Sequence, residues 1–280
     1  MLGIALSLAA SVSWGVSDFL GGLQTRRFSA LSVLLVSQPV GLVLALAVAL
    51  AIGGDPLNTD DFLLAAGAGA TVVVALGVFY RAMALGSISV VTMVGALGVL
   101  VPVAVGLARG EEPAAVQALG AAIAIPALVL VARDPDPEWR AANRHSVGLA
   151  ALAALGFGIF LTIIDEVAES DPAWTVAAVR VGGVALLAIA ALYWRPGLPD
   201  ARGRVLAALL VIGVFDVLAS LLYAVATTHG ILPLVAVAGS MYSAVTVLLA
   251  RFVLGERLAR SQRIGFALAI AGVALIAAGA

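Results

Sequence analysis

Arg109-Gly110-Glu111-Glu112, with Gln117 six residues beyond Glu111 and Gly120 behind it, recurs as Leu254-Gly255-Glu256-Arg257, with Gln262 six residues beyond Glu256 and Gly265 behind it. Working outward from these copies, Tyr80 matches Tyr223, Gln38 and Gly41 match Arg180 and Gly183, and Trp14-Gly15 matches Phe157-Gly158. Subtracting the paired numbers gives offsets between 142 and 145, so the chain is one unit written twice with small insertions. Each copy is built of apolar runs long enough to cross a bilayer. A duplicated membrane chain has a pseudo-symmetric interface near the midplane, where carriers of this design hold their cargo.

The composition bounds the reading. The 280 residues are 63% hydrophobic and 11% charged, with a mean hydropathy of +1.15; soluble chains run about 25% charged. Ten runs read as transmembrane helices at 2–22, 30–52, 62–84, 87–108, 114–132, 147–166, 172–194, 204–228, 231–254 and 262–279. The expected fold is an all-α membrane protein, ten transmembrane helices as two inverted five-helix repeats around a central cavity. Residues 1–132 form the first repeat, 133–146 a polar linker loop, and 147–280 the second repeat. The first run lacks a basic leader and is too long for a signal peptide, so it reads as a spanning helix. There is no cysteine and no lysine, which excludes thiolate metal sites and a Walker A loop. A net charge of −1 gives no basic surface for nucleic acid.

Charge tests the inversion. Five helices is an odd number, so equivalent loops of the two repeats should lie on opposite faces. Loop 1/2 is basic (Arg26, Arg27) and its partner 6/7 acidic (Asp165, Glu166, Glu169, Asp171). Loop 2/3 is acidic (Asp55, Asp60, Asp61) and its partner 7/8 mostly basic (Arg195, Arg202, Arg204). Loop 4/5 is net acidic and its partner 9/10 net basic. Every pair changes sign, as an inverted repeat under the positive-inside rule requires. The same rule places the arginine-rich loops in the cytoplasm and both termini outside.

Trp14-Gly15 in span one, Arg180 within Ala178-Val179-Arg180, and Leu254-Gly255-Glu256-Arg257-Leu258 followed by Gln262 and Gly265 together resemble the EamA type of the drug/metabolite transporter superfamily. The resemblance covers the whole chain. It implies a ten-helix carrier of small metabolites, often amino acids or toxic compounds, usually moving them outward. It also implies a cavity lined by spans one, three, four, six, eight and nine, and both termini in the cytoplasm. It does not specify the cargo.

Several residues are candidates for the cavity. Asp216 lies near the middle of span eight, where an ionised carboxylate costs about 2.5–3.5 kcal/mol and needs a partner or water; Ser220 and Tyr223 share its face. Asp216 could meet a substrate amine, carry a coupling proton, or be tied to a neighbouring arginine. Arg180 could hold a substrate carboxylate or bond Asp216 and backbone carbonyls. The recurrence of this arginine across the resembled family, whatever the cargo, favours the structural role. Ser7, Ser11, Trp14 and Asp18 form a polar stripe on span one; Asp18 could line the cavity or pair with Arg26 and Arg27. Tyr80 and Tyr223 could face the cavity or anchor at the interface. Phe157 and Phe160 on span six, and Ser240, Met241 and Tyr242 on span nine, could add polar and aromatic wall opposite Gly95 and Gly98 of span four. Pro102 and Pro233 could loosen their helices for gating. Gly265, Gly272 and Gly279 form a close-packing face, against another helix or, in a homodimer, a second copy. Glu111 and Glu256 are expected to cap the helices that follow them.

The function that follows is a secondary or facilitative carrier in the cell membrane, exporting small amphipathic metabolites such as amino acids by alternating access, with protons as a coupling partner if Asp216 titrates. No cofactor or metal is called for. An enzyme is disfavoured: both histidines, His145 and His229, sit in connections, and no nucleophile elbow is present. A channel or an assembly subunit is the alternative. A channel would want one polar ring repeated in both halves, and the halves differ where they are polar.

Overall fold

The computed structural model describes residues 1–132, 137–199, 202–256 and 259–278. It is helical along nearly all of that length, as a bilayer demands, since only helices satisfy every backbone group within one segment. The helices are α1 (Leu2–Thr25), α2 (Ala30–Ile52), α3 (Thr59–Leu85), α4 (Ile88–Gly95), α5 (Leu100–Ala108), α6 (Ala115–Ala132), α7 (Pro137–Ala168), α8 (Pro172–Trp194), α9 (Arg204–Thr227), α10 (Leu232–Gly239), α11 (Tyr242–Leu254) and α12 (Arg260–Ala278). A 3₁₀ turn, Ala96–Val99, joins α4 to α5. Counting α4–α5 and α10–α11 as one stretch each, eight helices among the described residues are long and apolar enough to span a membrane. Helices α6 and α12 occupy the positions expected of spans five and ten.

The boundaries follow from local chemistry. The side chains of Ser29, Asn58, Ser87 and Asp171 accept the N–H of the residue three further on and so cap α2, α3, α4 and α8. Gly110 and Gly255, the repeated glycines, both have positive φ, 85° and 70°. They end α5 and α11 in the left-handed conformation that glycine alone adopts without cost. One boundary departs from expectation. Of the linker 133–146, residues 133–136 lie outside the described residues, and from Pro137 onward it is the first part of α7 rather than loop. Proline is suited to a first helical turn, where its missing N–H is not needed.

Contacts between loops sort the two faces. Arg26 pairs with Glu256 at 3.3 Å, the Ser87 and Ser89 hydroxyls reach Glu256, and the Ser32 hydroxyl donates to Gly197 O. Loops 1/2, 3/4, 7/8 and 9/10 therefore share one face. On the other face, Arg109 pairs with Asp165 at 3.3 Å and with Glu166. There too, the Ser170 hydroxyl donates to Asp61, Trp174 Nε1 donates to Gly54 O, and the backbone N–H of Leu232 donates to Glu111. Loops 4/5 and 9/10, equivalent in sequence, lie on opposite faces, which is the geometry of an inverted repeat.

The repeats do not pack as two separate halves. Helix α1 packs on α9, α10 and α11, while α3 packs on α7 and α8, and α4 and α5 pack on α7. Each lobe thus mixes helices from both repeats, α1/α9/α10/α11 against α3/α4/α5/α7/α8. Between the lobes, the equivalent helices α2 and α8 touch each other, and so do the equivalent helices α6 and α12. Equivalent elements in contact lie on the pseudo-two-fold axis, so the axis runs from the α2/α8 seam to the α6/α12 seam. Gly265 and Gly272 of α12 are buried, and α6 is the helix packed against α12; Gly279 lies outside the described residues.

Candidate functional site

Both broken spans break at equivalent places. The Ala96–Val99 turn follows Gly95, and the turn at Ser240 and Met241 lies 145 residues on from Gly95 and Ala96. In the first repeat the interruption is a glycine-flanked 3₁₀ turn. In the second, the Ser240 hydroxyl donates to Val237 O at 2.7 Å and the Ser243 hydroxyl to Ser240 O at 3.0 Å. Such bonds back to the preceding turn loosen and bend a helix. Pro102 lies in the first turn of α5, three residues past the Ala96–Val99 turn, and Pro233 in the first turn of α10.

The two breaks face a cavity of about 50 Å³ between the lobes. One wall is Trp14, Asp18, Asp216, Gly239, Ser240 and Tyr242; the other is Val72, Leu76, Gly95, Ala96, Gly98, Val99, Phe157, Phe160, Leu161 and Arg180. A water occupies about 10–15 Å³ by this measure, so the space holds a few waters and no metabolite. Among the described residues, no group of three or more histidine, aspartate and glutamate side chains is placed to hold a metal.

Arg180 and Asp216 form a closed cluster. Arg180 Nη1 donates to Asp216 Oδ2 and to Gln38 Oε1, each at 2.6 Å. Its Nη2 donates to Ser220 Oγ at 2.6 Å and to Asp216 O at 3.1 Å. Gln38 Nε2 donates to Asp216 Oδ2 at 2.9 Å, and the Ser220 hydroxyl donates to Asp216 O at 2.9 Å. The charged side chains are 3% and 9% exposed. Gln38 and Arg180 are equivalent positions of the two repeats, so the cluster sits on the axis and ties α2, α8 and α9 together. Asp216, the strongest sequence candidate for a substrate or proton site, is already neutralised by Arg180. The pairing also removes the reason for expecting a zwitterionic cargo, since neither charge is free.

Asp18 behaves in the opposite way. It lines the cavity, is 6% exposed, and among the described residues takes no hydrogen bond and no ion pair. Its expected partner Arg26 pairs with Glu256 on the face instead. The polar stripe of α1 divides by function. Ser7 donates to Val235 O on α10 and Ser11 to Leu8 O of its own helix, and only Trp14 and Asp18 reach the cavity.

Of the remaining candidates, Phe157, Ser240 and Tyr242 line the cavity; Tyr80, Ser220 and Tyr223 do not. Tyr223 is fully buried behind the wall with its ring 5.5 Å from that of Trp14. Tyr80 lies flush on α1 over Gly21, where a Cβ would fall 2.2 Å from its ring. Sequence reasoning passed over Val72, Leu76 and Leu161, ordinary apolar residues that carry no signal of position.

Glu111 and Glu256 are also corrected. Neither serves only its own repeat: each crosses to the other lobe and caps the first turn of a broken span. Glu111 Oε2 accepts the Leu232 N–H at the start of α10 at 2.8 Å. Glu256 Oε2 accepts the Ser89 N–H at 3.1 Å and the hydroxyls of Ser87 and Ser89 at the start of α4. Burial raises the affinity of the Glu256 carboxyl for its proton, but the bonds from Ser89, Ser87 and Ile88 outweigh it and hold the group below its ordinary 4.5. A depressed carboxyl contributes fully above its ordinary value and loses that contribution as pH falls through the folded value. This contact is therefore indifferent to pH near neutrality.

A profile of the EamA-like transporter family matches residues 1–133 and again residues 145–278. Among solved structures, the fold is similar to a crystal structure described only as that of a protein. The TM-score is 0.73 at 16% identity, over 98% of this chain and 96% of that one. No curated protein matches the chain.

Proposed function

The chain belongs to the EamA-like transporter family, a membrane transporter of small molecules, and from that premise we propose that it is a ten-span secondary carrier of the cell membrane, exporting small amphipathic metabolites by alternating access. The observation that carries this reading is the cavity. It lies on the pseudo-two-fold axis, between two lobes, at the breaks of two equivalent helices. Discontinuous helices beside a central site are the recurrent construction of carriers whose two faces open in turn. The cross-lobe caps supply the gates. Opening the face that bears Glu111 requires that carboxylate to leave α10, and opening the other requires Glu256 to leave α4. The pseudo-symmetry makes the two steps equivalent, so that one face opens as the other stays tied. Among the described residues, most arginines outside the spans lie on the Glu256 face, which the positive-inside rule favours for the cytoplasm.

The test is flux in proteoliposomes loaded with a panel of small amines, amino acids and neutral aromatic solutes. A carrier gives flux that saturates with solute concentration and shows exchange across the membrane. A linear rise for every permeant solute is the signature of a channel and would refute the reading.

A further inference from the structure

The cavity contains three charged side chains, and two cancel. Arg180 and Asp216 neutralise each other at 2.6 Å, which leaves Asp18 as the cavity's acidic group without a protein partner among the described residues. A carboxylate this deep in an apolar helix bundle is costly without a partner. Asp18 is 94% buried by the complement of its 6% exposure and lines the cavity without a hydrogen bond among the described residues. A ligand with a positive nitrogen would supply what the protein does not. The rest of the lining suits the same ligand. Trp14, Tyr242, Phe157 and Phe160 bring aromatic rings from three helices to the wall, and ring faces attract cations, more strongly as the site dries. Among the described residues the Tyr242 hydroxyl has no hydrogen-bond partner, and it is available to a polar group beside the nitrogen.

We propose that the cavity is a site for small organic cations, an amine nitrogen held by Asp18 with its apolar body among Trp14, Phe157, Phe160 and Tyr242. The inference rests on the carrier reading and names the cargo of the same site. It separates amines from amino acids. Both Nη atoms of Arg180 are engaged, and among the described residues its Nε has no partner. A substrate carboxylate would have to displace Asp216 or share the cavity with it. An amine meets the free carboxylate and brings the cavity to neutrality.

The probes are phenethylamine, phenylalanine and 2-phenylethanol, which share a ring and chain and differ in charge. Equilibrium binding to the purified protein and competition in proteoliposome flux are the readouts. The expected result is saturable phenethylamine binding, at least about tenfold weaker for both other probes and for Asp18→Asn, and kept by Asp18→Glu. The comparison of probes on the unaltered protein stands even if Asp18→Asn does not fold. Phenylalanine binding as well as phenethylamine, or amine binding undisturbed in a folded Asp18→Asn, would overturn the proposal. If phenylalanine flux saturates and amine flux does not, the carrier reading survives and only the cation assignment fails. If no solute in the panel saturates, both fail.

Discussion

Arg180→Leu is expected to destabilise the protein by about 3–5 kcal/mol, because it leaves Asp216 buried without a counter-charge. The double variant Arg180→Leu/Asp216→Leu is expected to recover most of that loss. A buried ion pair repays its desolvation only through good geometry, and replacing both partners by apolar groups is often close to neutral. Recovery should be incomplete, since the Gln38 amide loses both groups it bonds, and a stranded buried polar group costs about 1–3 kcal/mol. Thermal unfolding of the purified single and double variants measures this as a double-mutant cycle. Additive losses would show that Arg180 and Asp216 are not coupled. Transport by the double variant then separates structure from function. If the cluster is a scaffold, the double variant still carries cargo; if Asp216 were the binding carboxylate, transport would vanish with stability intact.

Gly69→Val is expected to prevent assembly of the α3/α8 contact altogether. A Cβ at Gly69 would fall 1.8 Å from Val179 O and 3.0 Å from the Gly183 N–H nitrogen. The obstacle is backbone, which cannot rotate away. Helices in a bilayer associate through such close approaches because lipid gives them no hydrophobic drive to pack. Gly213, equivalent to Gly69 by an offset of 144, meets Ser37 O on α2 at 2.2 Å in the same way. Gly67, two residues from Gly69 and with nothing within 4 Å of an added Cβ, is the control. Gly67→Ala should be neutral or gain up to about 1 kcal/mol of helix propensity. Folded yield and melting temperature decide it. A well-folded Gly69→Val would contradict the packing of the lobe.

Much of this was legible in the sequence, because it depends on period and count. The apolar runs, the paired motifs and the alternation of loop charge needed only composition and spacing, and they anticipated helices whose equivalent loops lie on opposite faces. The bond between Arg180 and Asp216 was also within reach, since two opposite charges buried in neighbouring spans seek each other. The roles of the two aspartates were not. Asp216 could be read as free or as tied to an arginine, and Asp18 as lining the cavity or as paired with Arg26 and Arg27, because depth along a helix can be counted, whereas rotation about its axis cannot. Rotation turned Asp216 onto Arg180 and Asp18 into the cavity. The cross-lobe caps were missed for a related reason. Glu111 and Glu256 sit where a carboxylate normally caps its own helix, and local rules carry no information on which lobe will be across the gap. The interleaving of repeats was hidden likewise, since a duplicated sequence marks equivalence and not adjacency.

The most direct test of a carrier with two faces opening in turn uses the absence of cysteine. Ser240→Cys places one thiol in the cavity wall. Its rate of reaction with a membrane-impermeant maleimide is measured from each face of oriented proteoliposomes, alone and combined with Glu111→Ala or Glu256→Ala. Glu111→Ala is predicted to speed labelling from the face that bears Glu111 and slow it from the other, and Glu256→Ala to do the reverse. Labelling that rises from both faces together, or that ignores both substitutions, would show a pore or a rigid pocket and contradict alternating access.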